Sequence, residues 1–466
     1  MSIEPIGLLT LIVGMICLQF GFRVMAATLV VATLLGSAAA FLVGTANIQP
    51  AHVLLGFGAA TTFMRRRETA QAIRATRFPE PGFWLMCLVI YGIVTAILMP
   101  RLLAGTMACI PLGTSEYAET GSTVPLSPTS GNLTQSIYLV GDFTCFIMIV
   151  AIASTQSGFT TIAGALVAYA ACNVLFALID IATYNTGTQW LLDFMRNAQY
   201  TLHIEEEISG LKRIVGSFTE ASAFAEATLG ALGFTGTLWL CGRWPTVTGP
   251  LALASLALVV LSTSSTGLAG TPPLLLILYV TALKRISFRP TFSTAALLCA
   301  PLAVVAVILA AQLDADVSRP IHDYLDQLIF SKSATSSGIE RNSWNSTALQ
   351  NFFDSYGVGV GLGTVRTSSF PVALLSNVGI PGTIFYVLFA MSAFLRQRGT
   401  PRTFPTDIRL AARNACFGMI IGNTFAGTTV EQGLIFYVLA GLACAEPERN
   451  VVVASHVPGR RVGART

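Results

Sequence analysis

The chain has 466 residues, of which 53% are apolar and only 11% carry a charge. Soluble domains typically carry a charge on roughly a quarter of their residues, so this composition excludes a soluble globular protein. The net charge of +4 is small, and the excess cations lie in short loops between apolar runs. That pattern orients a membrane protein and does not indicate nucleic-acid binding.

Apolar runs follow one another along most of the chain. A membrane-spanning helix needs about 20 apolar residues, because backbone polar groups in hydrocarbon must find partners within the helix. The candidate spans are residues 5–22, 25–44, 48–64, 81–100, 137–156, 159–180, 221–241, 247–266, 271–284, 291–311, 371–395, 412–427 and 430–445. Because the third contains His52 and the ninth is short, we predict an all-α polytopic membrane protein with about 11–13 transmembrane helices.

The distribution of lysine and arginine predicts the orientation of the chain. With the N-terminus outside, most of the 27 basic residues fall in cytoplasmic loops and the C-terminal tail, where short loops accumulate them. We therefore predict a bacterial-type inner-membrane protein with one membrane domain over residues 1–445 and a disordered cytoplasmic tail over 446–466. The expected outer loops are 101–136, 181–220 and 312–369, of which the last two are the larger polar segments.

The cysteines and histidines show no pattern typical of a disulfide framework or a metal site. Of the nine cysteines, only Cys109 lies beside a polar loop, and the others fall in apolar runs. The sequence contains neither a CxxC pair nor a His/Cys cluster with ligand spacing. We therefore expect no structural metal and no cofactor.

The polar segment 181–220 ends in GLKRIVGSFTE, directly before an apolar run. Arg213, which follows Lys212, would share a helical face with Glu220 if a helix continued through Gly216. A carboxylate in a membrane helix faces a partner or a cavity by default, so Glu220 is a candidate site residue. The alternative is that Glu220 is an acid at the start of a helix, at the water boundary.

The segment 312–369 contains the sequence ERNSWN ahead of the next span. Arg341, Trp344 and Asn345 have i, i+3 and i+4 spacing, which places them on one helical face. The guanidinium matches phosphate oxygens, and the indole offers a flat apolar surface to a sugar ring. The alternative is an interfacial helix with a Trp anchor and a snorkelling Arg.

Glycine occupies every second position from 357 to 363, just ahead of Arg366. Such a loop allows backbone N–H groups to approach an anion closely, so we predict that Gly361 and Gly363 contact substrate. The spacing matches neither the dinucleotide fingerprint nor a Walker A loop.

Three arginines, Arg213, Arg341 and Arg366, are predicted to lie beside membrane entry points on the outer face. A guanidinium there is costly unless it faces water or meets an anion. A membrane-anchored diphosphate is the anion expected at that depth.

The chain resembles the bacterial O-antigen polymerase and O-antigen ligase superfamily, and within it the exopolysaccharide repeat-unit polymerases. The matching stretches are RIVGSFTEASAFAE, LSTSSTG, and ERNSWN through GVGVGLGTVRTSSFPVALLSNVGIPG. The resemblance implies a glycosyltransferase-C-like fold that transfers an undecaprenyl-diphosphate-linked glycan to another lipid-linked unit without a metal. It also implies a lipid-linked donor and acceptor as partners, together with membrane lipid, a chain-length regulator and a flippase.

Within that resemblance the candidate residues take distinct roles. Arg213 and Arg341 would stabilise the negative charge on the departing diphosphate, and Glu220 would be the general base for the acceptor hydroxyl. The predicted substrate-binding residues are Arg366, Trp344, Asn345, Lys212, Gly361 and Gly363.

Two other functions stay open as alternatives. Ligases of this superfamily carry a catalytic histidine followed by an asparagine in the late outer loop, whereas this loop has only His322, well ahead of Arg341. A flippase or transporter is the alternative from a different functional class. It stays open because acids in membrane spans can line a transport pathway. The acids in question are Asp142, Asp180, Glu226 and Glu431.

Overall fold

Helices make up most of the computed structural model, which describes residues 2–43, 46–117, 122–199, 202, 207–208, 211–286, 294–299 and 335–448. The helices are α1 (Pro5–Phe20), α2 (Phe22–Ala32), α3 (Pro50–Phe63), α4 (Arg66–Ala75), α5 (Pro81–Leu102), α6 (Ser130–Ile152), α7 (Gln156–Thr183), α8 (Ala221–Leu240), α9 (Pro245–Leu261), α10 (Ser265–Ile286), α11 (Ser336–Asp354), α12 (Phe370–Ala373), α13 (Gly379–Phe394), α14 (Phe404–Ala426) and α15 (Leu434–Cys444). Most of the predicted span 291–311, the segment 312–334 with His322, and the tail from residue 449 lie outside the described residues.

Five of the described helices are long and apolar enough to cross a membrane. They are Pro81–Leu102, Ser130–Ile152, Gln156–Thr183, Ser265–Arg285 and the run Phe370–Phe394. The shorter apolar helices α1, α2, α9 and α15 accompany them. The structure thus confirms a mostly helical protein with helices suited to a membrane.

Several predicted apolar runs are not single regular helices. The first is interrupted at Gly21, whose φ of +92° is left-handed, and the second is helical only to Ala32. The run that begins at α12 contains a π-helical turn, Leu374–Val378, followed by Gly379 at φ +62°. Glycine tolerates positive φ without a steric penalty, so the chain changes direction at these points.

A few short strands also occur within this mostly helical structure, which agrees with the predicted all-α class. The antiparallel sheets consist of β1 (Ser2–Ile3), β2 (Phe41–Val43) and β3 (Ala46–Ile48); β4 (Ala108–Cys109) and β5 (Val124–Pro125); and β6 (Glu207–Ile208) and β7 (Leu211–Lys212). An isolated antiparallel bridge also joins Pro111 to Val365. It ties the loop after α5 to the segment after the glycines.

Helix α8 is buried over most of its length and packs closely against α14. A Cβ atom on Gly233 would lie 2.8 Å from the carbonyl oxygen of Asn414, so the small residue allows the two backbones to approach. The Asn414 side chain then donates to the hydroxyls of Thr237 and Thr281 at 3.0 and 3.2 Å. These bonds link α8, α10 and α14.

A buried carboxylate links α14 and α10 to the turn that follows α8. Asp407, near the start of α14, accepts hydrogen bonds from Arg243 at 2.8 Å and from Arg285. The Asp407 side chain is 1% exposed. Removing one partner from a buried ion cluster leaves an uncompensated charge, which is strongly destabilising.

Replacing Asp407 with Asn should therefore lower the free energy of unfolding by about 3–5 kcal/mol. The matched control is Glu80→Gln, which breaks a partly exposed pair with Arg396 at 3.2 Å and should cost no more than about 1 kcal/mol. Thermal unfolding of both variants in detergent measures the difference. Equal losses of stability would contradict the structural role of Asp407.

Candidate functional site

An ion pair between Glu220 and Arg341 joins the two polar segments identified in the sequence. Arg341 Nη2 donates to Glu220 Oε2 at 3.3 Å, and the Ser222 hydroxyl donates to Glu220 Oε1. The Arg341 and Glu220 side chains are 26% and 30% exposed, so a ligand can reach the pair. Glu220 immediately precedes α8, but its carboxylate makes no capping hydrogen bond to that helix.

Helix α11 presents Arg341, Trp344 and Asn345 as neighbours on one half-buried face, as their spacing predicts. The helix begins after Thr335, whose side chain accepts a hydrogen bond from a backbone amide in the first turn. Its far end is held to β4 by Asn351, which donates to a backbone carbonyl of that strand at 2.7 Å. Both ends of the helix are thereby fixed.

The same face of α11 holds the segment that follows the glycines. The Arg366 guanidinium lies 4.8 Å from the centre of the Trp344 ring, a cation–π contact. Asn345 Nδ2 donates to Ser368 Oγ at 3.2 Å, and the Ser368 amide donates back to Asn345 Oδ1 at 2.8 Å. We refer to Glu220, Arg341, Trp344, Asn345, Arg366 and Ser368 as the Arg341 cluster.

The Arg341 cluster contains two guanidiniums and one carboxylate. Arg366 is exposed and Arg341 is partly exposed, so both can donate to an incoming anion. Guanidinium groups bind phosphate oxygens through paired hydrogen bonds. The cluster therefore suits a phosphorylated ligand, with Glu220 close enough to Arg341 to act on a group bound beside it.

Lys212, a predicted substrate-binding residue, contacts Asp180 and Tyr184. Its ammonium group donates to Asp180 at 3.0 Å and lies 4.7 Å from the ring centre of Tyr184. Arg196 also donates to Asp180, at 2.7 Å, so both cations neutralise a nearly buried carboxylate. This pairing holds the chain ahead of Glu220, and contact between Lys212 and substrate stays a prediction.

The segment between Arg213 and Glu220 is not helical, so the condition under which the two side chains would share a helical face is not met. After β7 the chain is irregular, Gly216 has a φ of +58°, and α8 begins only at Ala221. The amides of Val215 and Gly216 donate to Asp180 at 2.9 and 3.0 Å. Arg213 itself is half-buried.

The glycine loop packs against neighbouring helices. Gly361 and Gly363 have φ values of +107° and +76°, and the Gly361 amide donates to the Asn377 carbonyl at 3.0 Å. A Cβ on Gly361 would lie 2.8 Å from Pro100, and one on Gly363 would lie 2.3 Å from the Gly131 carbonyl oxygen. Both glycines therefore serve close backbone packing, and their contact with substrate stays a prediction.

Two asparagines that the sequence analysis did not identify hold this loop. Asn377 Oδ1 accepts from the amides of Thr364 and Val365 at 3.1 and 3.3 Å. Asn132 Nδ2 donates to the Leu362 carbonyl at 2.7 Å. Both asparagines are buried, so the signal that could have found them was an amide inside or beside an apolar run.

The intramembrane acids of the transporter alternative have varied surroundings. Glu226 Oε1 accepts from Asn423 at 2.7 Å, and Asn423 also donates to Gln432 at 3.1 Å. Glu431 accepts from a backbone amide, whereas the Asp142 carboxylate has no hydrogen-bond partner within the described residues. Glu226 thus has a partner on a neighbouring helix, whereas the partners of Asp180 lie in the segment between α7 and α8.

The Cys109 thiol and the potential metal-ligating side chains are the remaining groups of chemical interest. Burial raises the pKa of the Cys109 thiol to about 11, although a backbone hydrogen bond at Ser127 lowers it, so the thiol stays protonated at neutral pH. Across the described ranges, no three His, Cys, Asp or Glu side chains group together as potential metal ligands.

The chain matches no protein-family model and no curated protein sequence.

Changing Gly363 to Ala should destabilise the protein by about 3 kcal/mol or more, because positive φ and a clash with the Gly131 carbonyl act together. Gly105→Ala is the matched control, since Gly105 has φ +70° but no atom within 4 Å of a new Cβ. That variant should lose only about 1–2 kcal/mol. Denaturation in detergent compares the two, and similar losses would argue against a packing role for Gly363.

Proposed function

We propose that the protein polymerises undecaprenyl-diphosphate-linked oligosaccharide repeat units into an exopolysaccharide or O-antigen-like chain. The observation that carries the proposal is the reachable Glu220–Arg341 ion pair beside the stacked Arg366 and Trp344. It combines a candidate base with two donors for a diphosphate. The resemblance of these stretches to O-antigen polymerases supports the same function.

In the proposed reaction, the acceptor hydroxyl oxygen attacks the anomeric carbon of the donor. The bond from that carbon to the diphosphate oxygen breaks, and the electron pair leaves with the lipid diphosphate. Glu220 accepts the hydroxyl proton. Arg341 and Arg366 stabilise the charge that develops on the leaving group, and Arg213 is a third candidate for that role.

The ion pair links donor binding to the availability of the base. Arg341 occupies one oxygen of Glu220, and Ser222 occupies the other. A diphosphate that binds the Arg341 guanidinium would replace its hydrogen bond to Glu220. Glu220 Oε2 would then be free to accept the proton of the acceptor hydroxyl. The base then becomes available when the donor is bound.

We place the Arg341 cluster at the outer face of a bacterial inner membrane, within a glycosyltransferase-C-like bundle of about 11–13 transmembrane helices and with the C-terminus in the cytoplasm. Glu220 and Arg243 flank opposite ends of α8, which are about 30 Å apart for a helix of this length. The cluster and the loop of Arg243 therefore lie at opposite ends of this helix. This separation agrees with the positive-inside preference.

A ligase would use the same donor and a different acceptor, while a flippase would bind the donor without making a bond. A candidate base lies beside guanidiniums that can donate hydrogen bonds to a diphosphate. This arrangement favours bond formation over transport. Product analysis separates the three functions.

Arg341→Ala should lower the rate of polymer formation by about 100-fold or more, because a donor to the leaving diphosphate is lost. Purified wild type and variant are mixed with an extract of lipid-linked repeat units, and the products are resolved on a gel. Arg101→Ala is the control, since Arg101 is exposed at the end of α5 and bonds a backbone carbonyl of its own helix. It should retain the wild-type ladder.

Glu220→Gln should retain donor binding and lower the rate by about 100- to 10,000-fold, because the amide cannot accept the proton. Donor retention on the purified variant and ladder formation are measured separately. A folded Glu220→Gln variant with the wild-type rate would eliminate Glu220 as the base. Donor binding by the wild type without any ladder would point to a flippase, or to a ligase that lacks its acceptor.

A further inference from the structure

A strongly basic surface surrounds α4, in the connection between α3 and α5. Its arginines are Arg23, Arg65, Arg66, Arg67, Arg74 and Arg77, all of which are exposed. In the part of the chain that the structure describes, none of the six forms an ion pair. Glu68 is the one acid on α4 itself, and nearby Glu80 is paired with Arg396. The surface therefore carries a large uncompensated positive charge, and we refer to it as the α4 surface.

Large apolar side chains are exposed within the same surface. Met64, Ile73 and Phe78 are 85%, 54% and 68% exposed. Ile73 lies directly beside Arg74 on α4, and Met64 precedes Arg65. Exposed apolar groups between cations are typical of a segment that lies at a membrane interface, where its apolar side chains enter the headgroup boundary.

Tertiary packing extends this surface beyond one stretch of sequence. The guanidiniums of Arg23 and Arg65 lie 5.7 and 4.5 Å from the centre of the Phe22 ring. Phe20, the last residue of α1, is 70% exposed. The junction of α1 and α2 thus adds a cation and an exposed aromatic side chain to the α4 surface.

The α4 helix is held against the bundle by its opposite face. Ala72 is buried, and the Thr69 hydroxyl donates to the Phe63 carbonyl at 2.8 Å. A Cβ on Gly82 would lie 2.5 Å from the Ala75 carbonyl oxygen. These contacts fix α4 where α3 ends and α5 begins, with its cations directed outward.

We propose that the α4 surface binds the headgroups of anionic phospholipids in the adjacent membrane leaflet. Its arginines match the phosphates, and its exposed apolar side chains match the headgroup boundary, which an acidic protein or a nucleic acid does not provide. The surface directly precedes α5, which is long and apolar enough to cross a membrane, so it borders one end of a candidate span. This inference does not depend on the proposed glycosyltransferase activity.

Native mass spectrometry of the full-length protein tests the proposal. The protein in detergent is titrated with phosphatidylglycerol and, separately, with phosphatidylcholine of the same acyl chains. Wild type should prefer phosphatidylglycerol. The double variant Arg66→Gln with Arg67→Gln should lose roughly 25-fold in that preference, about fivefold for each arginine.

Two controls distinguish the effect of this surface on lipid preference from the effects of net charge and of side-chain shape. Arg101→Glu changes the net charge by the same two units at the far end of α5, and it should leave the preference unchanged. Arg66→Lys with Arg67→Lys keeps the charge and should retain the preference. An unchanged preference in the double Gln variant, or an equal loss in Arg101→Glu, would overturn the proposal.

Salt provides a measurement that needs no variant. Raising the ionic strength should weaken the preference of the wild type, because exposed charges are screened. A preference that is insensitive to salt would refute an electrostatic headgroup site. Abolition of the preference by inorganic phosphate, compared at equal ionic strength with chloride, would show that the surface recognises free phosphate and would also refute the membrane assignment.

Discussion

Backbone polar groups that enter an apolar interior must find partners within the protein, and this constraint governs the two irregular segments that carry the candidate site. Asp180 accepts the amides of Val215 and Gly216 ahead of Glu220. Asn377 does the same for the loop ahead of Arg366. In both cases a buried side chain from a neighbouring element replaces the missing helical bonds. The candidate site residues Glu220 and Arg366 thereby follow backbone segments that are held in place.

Charged groups divide into three classes according to burial. Asp180 and Asp407 are almost fully buried, and each is matched by two cations. The Glu220–Arg341 pair is partly exposed and single, while the arginines of the α4 surface are exposed and form no ion pair among the described residues. Because the cost of desolvation rises with burial, the buried groups stabilise the fold and the exposed groups can bind ligands.

Local sequence patterns predict part of the candidate site, whereas other contacts of its residues join segments that are distant in the sequence. The i, i+3 and i+4 spacing of Arg341, Trp344 and Asn345 predicts a shared helical face, which α11 shows. Lys212 is predicted to contact substrate, and the structure pairs it with Asp180, 32 residues earlier. Its partner lies in an apolar run, and nothing in the local pattern of either segment indicates the pairing.

The sequence by itself determined the helical, lipid-compatible architecture, because the length and polarity of each run are local properties that hydrocarbon imposes. It also identified Glu220 and Arg341 as separate candidates. Only the tertiary structure decided that these two side chains meet across 121 positions and that the alternating glycines pack against α5 and α6. It also brought Arg23 to the α4 surface. These outcomes depend on contacts between distant segments, which no periodicity or motif encodes.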